Sequence, residues 1–239
     1  MAPKYNRKKQ AQNKTGSNKG NSKTLYIIVG VLAIVAIIIA GTYFIGGFGT
    51  NNNNNNEPNN ETVTPTATPN PTPATENTKV LLQTSMGDIT LQLFDDKPIT
   101  TQNFLKLVAL GKYDNTIIHR VVKDFVIQAG AVNKNNELID GNWASINDEI
   151  GQNNHNSKYT IAMAKTTSPN SATTSFFINT GDNSKQPEFD DTYTVFGRVI
   201  EGQDIVDAIA NVQTVNSVYM NEKSQPAQTI TITSAKIIS

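Results

Sequence analysis

The run Thr116-Ile117-Ile118-His119-Arg120-Val121-Val122-Lys123-Asp124-Phe125-Val126-Ile127-Gln128-Ala129-Gly130 sets one guanidinium five residues before an aromatic ring and eight before a side-chain amide. A cation or donor held in a fixed place can stabilise charge, or a lone pair, that develops in a transition state. Such chemistry needs neither a nucleophile nor a metal. The remaining inventory is thin. The chain has no cysteine, which removes thiol nucleophiles, disulfides and thiolate metal sites. Its two histidines, His119 and His155, are too few to suggest a metal centre, so we expect no metal and no cofactor. His119 reads as structural, and His155, in the polar stretch from Gln152 to Ser157, is given no role. Arg120 taken alone would be an ordinary solvated surface residue.

Two further blocks change that reading. One is Ile161-Ala162-Met163-Ala164, through Pro169-Asn170-Ser171-Ala172-Thr173, to Phe176-Phe177-Ile178-Asn179; the other is Tyr193-Thr194-Val195-Phe196-Gly197-Arg198-Val199. With the first run they resemble the signature blocks of the cyclophilins, in which an His-Arg pair is followed by Phe and then Gln at the spacing seen here. The opening Thr84-Ser85-Met86-Gly87-Asp88, Asn103-Phe104-Leu105, and Gly202 to Ala210 match as well. The resemblance covers residues 79–239 in the family's order. It implies an eight-stranded antiparallel β-barrel capped by two helices, with a packed interior and the active groove on the outer face.

The activity implied is peptidyl-prolyl cis-trans isomerisation. An X-Pro bond prefers trans by only about 0.5–1 kcal/mol, yet amide resonance raises a barrier of about 18–20 kcal/mol. A catalyst must bind the twisted amide better than either planar form. By matching position, Arg120 is the donor to the prolyl nitrogen, and Gln128 orients Arg120 and holds the substrate backbone. Phe125, Val126, Phe177 and Phe189 line the proline pocket, Tyr193 closes a wall, and Ala164 and Lys165 lie along the substrate strand. The chain departs from the family at several points. Val126 stands where Met is commoner, and Tyr193 where many members have His. Ser175 replaces a Gln before the Phe-Phe pair, a change expected to remove a substrate hydrogen bond of about 0.5–1.5 kcal/mol. The same groove without turnover, a proline-peptide-binding chaperone or scaffold, is the competing expectation.

Patterning gives a compatible set of elements. Val80–Thr84 and Asp88–Phe94 read as strands around Met86-Gly87, the second alternating at period two. Pro98 with Thr100 or Thr101 predicts a helix start, and Gly111 its stop. Further strands are expected at Phe125–Ala129, Tyr159–Ala164, Phe176–Asn179, Tyr193–Ile200 and Thr229–Ile238, with a second helix over Gln203–Ala210. Within the Phe-Phe pair, Phe176 should face the core and Phe177 the groove, since adjacent strand residues point opposite ways. Trp143 falls outside the blocks and reads as a partly buried anchor for its loop.

The N-terminal third has a different texture. Residues 1–24 carry seven of the 20 basic residues and no acidic one, while all 20 acidic residues lie at Glu57 or later. The part that follows is therefore acidic, which argues against nucleic acid as a partner. Leu25 to Phe48 is uncharged and long enough to span a bilayer as a helix. Positive residues on its N-terminal side put that terminus in the cytoplasm and the remainder outside. A cleaved signal peptide is the rival, but both the basic and the apolar regions exceed its usual lengths. Residues 49–78, with Asn51 to Asn56 and alternating Pro and Thr, read as a disordered spacer. The expectation is a monomeric, single-pass membrane protein whose 79–239 domain meets proline-containing segments of unfolded or flexible proteins outside the cytoplasm.

Overall fold

The computed structural model describes residues 78–139, 143–151 and 153–238. The basic tail, the span at 25–48 and the spacer up to residue 77 lie outside the described residues. Among the described residues no helix is long and apolar enough to cross a membrane.

The chain opens with β1 (Lys79–Thr84) and β2 (Gly87–Leu93), followed by α1 (Pro98–Ala109). Four short strands come next: β3 (Thr116–Ile117), β4 (Arg120–Val122), β5 (Val126–Ala129) and β6 (Thr160–Met163). After β7 (Phe176–Asn179) there is a 3-10 turn at Asn183–Lys185 and a single helical turn, α2 (Pro187–Asp190). The chain ends with β8 (Val195–Glu201), α3 (Gln203–Ala210), β9 (Thr214–Asn216), β10 (Lys223–Pro226) and β11 (Thr231–Ile238).

Nine strands form one antiparallel sheet in the order β3-β11-β1-β2-β8-β6-β7-β5-β4, and β9 and β10 form a separate hairpin. The expected count of eight is thus corrected to nine. Its cause is local: Thr116–Ile117 pairs with β11, whereas Arg120–Val122, only two residues further on, pairs with β5. Ile118 and His119 bridge the two ends of the sheet, with Ile118 N–H donating to Ile230 O and His119 N–H to Gln128 O. Three residue steps span no more than about 11 Å, so the sheet must curl to bring its edges together.

Alternation along the strands divides the apolar side chains into two clusters. Ile127, Ala129, Ile161, Met163, Phe176 and Ile178 enter the main core with Phe104 of α1 and Tyr113. Their neighbours Val126, Ala162 and Phe177 face the other way and join Phe125, Ala164, Phe189, Tyr193 and Val195 in a smaller second cluster. Phe176 meets Phe104 and Tyr113 edge-on at 5.5 and 5.3 Å, as expected for the inward member of the pair.

Helix α1 begins at Pro98, as the sequence suggests, but neither Thr100 nor Thr101 caps it. Glu149, from a distant loop, accepts the N–H groups of Ile99 (3.1 Å) and Thr100 (2.8 Å), placing a carboxylate at the positive end of the helix. Gly111, at φ 63°, ends it in a conformation that glycine adopts at little cost. Trp143 anchors its loop to this helix through a 2.8 Å bond from Nε1 to Asn103 Oδ1.

Candidate active site

Arg120 heads β4 and points away from the main core, while the next residue, Val121, points into it. Its guanidinium carbon lies 5.5 Å over the Phe125 ring. Around that ring the second cluster makes an aromatic cage. Phe125 and Phe189 are 5.4 Å apart, Phe177 and Tyr193 5.3 Å, and Phe189 and Tyr193 4.7 Å, mostly in tilted or edge-on arrangements. Such pairs contribute about 0.5–1.5 kcal/mol beyond area burial. Arg120, Phe125, Val126, Gln128, Ala164, Lys165, Phe177, Phe189 and Tyr193 all line one small cavity of about 20 Å³. Nine of the ten site residues expected from sequence therefore converge, and Ser175 lies beside them through Gln128.

A second recess of about 70 Å³ adjoins the first, sharing Gln128, Ala164 and Lys165 and walled by Ser175, Leu138, Tyr219 and Met220. An extended peptide passing Arg120 can therefore lay a neighbouring side chain in it.

One expected role needs correction. Gln128 does not orient Arg120 through its side chain: its Nε2 donates to Ser175 Oγ at 3.3 Å, and Ser175 Oγ donates in turn to Ala129 O at 3.0 Å. Arg120 and Gln128 are cross-strand partners in the β4–β5 ladder and line the same cavity, yet no hydrogen bond joins their side chains among the described residues. The partner of Arg120 is Glu222, whose Oε1 accepts from Nε at 2.5 Å and whose Oε2 lies 3.4 Å from Nη2. Lys165 lines the groove, but its ammonium is held elsewhere. Its Nζ is buried against Asp148 at 2.6 Å, leaving its stem and backbone to face the groove. Ser175 supports Gln128, and its carbonyl accepts the Ala164 N–H at 2.9 Å, so it builds the wall along which substrate would lie.

Two groups beside the ion pairs, His119 and Tyr193, are held neutral. Burial, and then the charge of Arg120, push the His119 imidazole down to about 4, and the ring meets Tyr219 edge-on at 6.0 Å. Burial pushes the Tyr193 phenol up to about 12, with Arg120 opposing. His155 is exposed and lies 3.1 Å from Asp190, outside the groove.

Behind the cage stands a buried amide network that sequence reading missed. Asn183 donates to Phe125 O, Asn156 to Phe189 O, and Asn154 to Tyr193 O. Asn179 ties Asn156 to Asn183 by accepting from one and donating to the other. Each of the three aromatic residues is thus fixed by its carbonyl. The sequence carried one hint, the cluster Asn153-Asn154-His155-Asn156 in a loop otherwise without purpose.

The family profile described as "Cyclophilin type peptidyl-prolyl cis-trans isomerase/CLD" matches residues 79–237. The chain is a member of the cyclophilin-type peptidyl-prolyl cis-trans isomerases. It is 44% identical over 165 residues to peptidyl-prolyl cis-trans isomerase cyp18 of Streptomyces antibioticus, covering 66% of this chain and 98% of the relative. A peptidyl-prolyl cis-trans isomerase of Acinetobacter baylyi is 40% identical over 167 residues, 69% of this chain and 87% of that one. Among solved structures, a Cryptosporidium parvum cyclophilin-type isomerase crystallised in the presence of the dipeptide Ala-Pro superposes with a TM-score of 0.56 at 26% identity, covering 67% of this chain and 99% of that one. The cyclophilin match starts where composition changes from spacer to folded texture, and the activity it carries is X-Pro isomerisation.

Proposed function

We propose that Arg120 is the transition-state donor of this isomerase, and that the domain works outside the cytoplasm on an uncleaved N-terminal anchor, assisting the folding of proline-containing proteins there. The observation that carries the first part is the placement of one guanidinium at the rim of a cavity floored by Phe125, Val126, Phe177, Phe189 and Tyr193. The proline ring seats among these side chains and is held still. As the C–N bond twists, the prolyl nitrogen pyramidalises and acquires a lone pair, which an Arg120 N–H meets. That bond is stronger to the twisted amide than to either planar form, so it lowers the barrier rather than merely tightening binding. Gln128, on the wall shared with the adjoining recess, is placed to bond the substrate backbone.

The second part rests on sequence: the basic tail, the uncharged stretch Leu25 to Phe48 and the Pro/Thr-rich spacer that follows. The client is a protein segment with an accessible X-Pro bond, and a monomer is sufficient for the reaction.

Exchange spectroscopy on an Ala-Pro peptide tests the assignment. Arg120→Ala should lower kcat/KM by about 100-fold or more, the range seen when a transition-state donor is removed, with a far smaller change in thermal stability. A folded Arg120→Ala protein that turns over like the wild type would refute it.

A further inference from the structure

We infer that Glu222, in the tip of the β9–β10 hairpin, is the positioning residue for Arg120. This inference rests on Arg120 being the donor and goes beyond it by naming what aims that donor.

Arg120 is 4% exposed, and a guanidinium so far removed from water needs a counter-charge or a full set of acceptors. Among the described residues its side-chain acceptors are the two carboxylate oxygens of Glu222, at 2.5 Å from Nε and 3.4 Å from Nη2. The pairing is side-on. It occupies Nε and one edge of Nη2, and leaves Nη1 and the remaining Nη2 proton without a protein acceptor among the described residues. With Phe125 packed against the face of the guanidinium, its plane and direction are both set. The unoccupied edge is the one left to meet a substrate amide.

The hairpin is built to hold the carboxylate there. Tyr219 Oη donates to Asn136 Oδ1 at 2.6 Å, and Met220 is buried. Ser217 Oγ accepts the N–H groups of Tyr219 and Met220, and Ser217 N–H donates to Glu222 O at 2.9 Å. Glu222 is therefore delivered by an ordered loop, with a side chain 22% exposed, so it can be altered without opening the core.

A misplacement of about 1 Å can cost about a hundredfold in rate. In the full chain, Glu222→Ala should lower kcat about tenfold or more, with KM within about twofold of wild type, because ground-state seating depends on the aromatic cage. Glu222→Gln keeps an acceptor for Nε and should retain most of the activity, within about threefold of wild type. A rescue by Gln, with the loss in kcat alone, is not what a merely structural residue would give. The inference is overturned if Glu222→Ala turns over as fast as wild type or faster, or if Glu222→Gln is as slow as Glu222→Ala. Arg120→Ala in the same assay separates the two readings. If that variant is inactive while Glu222→Ala is normal, only the positioning role fails; if Arg120→Ala is itself active, the donor assignment fails.

Discussion

Arg120 and Phe125 could be found because their spacing matches the family's signature, and both belong to one β4–β5 hairpin, where sequence distance fixes spatial distance. Glu222 could not, being 102 residues from Arg120 and brought to it by a loop with no periodic pattern. Gln128 shows the converse: its position was legible, but its partner is Ser175, one of the residues at which this chain departs from the family. His119 carries a prediction of its own. Its folded-state value of about 4 lies below the ordinary 6.5, because burial disfavours the imidazolium. The unfolded chain therefore binds the proton more readily than the folded one. Stability should be complete above about pH 6.5 and decline as pH falls towards 4, by a total on the order of 3 kcal/mol. Urea unfolding of the wild type and of His119→Gln across pH 4–7 measures it. A wild-type slope that survives in His119→Gln would show that other groups are responsible.

At the scale of elements, the long strands and both main helices were legible because their apolar residues repeat at period two or 3.6. The strands β3, β4, β9 and β10, of two to four residues, are too short to repeat anything. Of two distant polar supports, Glu149 had no signal and Asn156 only the hint of its Asn-rich loop. Glu149 serves a helix end, and Asn156 serves the cage, so their removal should differ in kind. Glu149→Ala is expected to lower stability by about 1 kcal/mol, as for a lost cap, with kcat/KM unchanged. Asn156→Ala removes one donor to Phe189 O and one acceptor from Asn179, at about 0.5–1.5 kcal/mol for each lost bond, and should also raise KM as Phe189 loses part of its hold. Thermal melts beside steady-state kinetics distinguish them, and equal effects on KM would show that the network does not position the pocket. Gly130 is a third such support. At φ 79° it lets the end of β5 pass so close to Thr174 O that a Cβ would lie 2.7 Å away.

For the whole molecule, the sequence separates a basic tail, an uncharged apolar stretch and a polar spacer from a domain dense in apolar alternation, and the family match begins at residue 79. The topology proposed for the first part predicts that protease added to intact cells releases the domain by cutting within residues 49–78. A domain that stays protected until the membrane is broken would refute it. Legibility failed in the closure of the sheet. The eight strands implied by the resemblance become nine because one stretch divides between the two edges, and pairing partners are not written in local pattern. That division ties the site to the far end of the sheet. β11, the last strand made, pairs with both β1, the first, and β3, which leads into Arg120 through Ile118 and His119. The guanidinium and the carboxylate that holds it both lie inside the loop of chain that this final pairing closes. A chain without β11 would keep every signature residue, yet lack the strand that joins β1 to β3. Loosening β11 should therefore slacken the strand that leads into Arg120, although β11 supplies no side chain to the cavity.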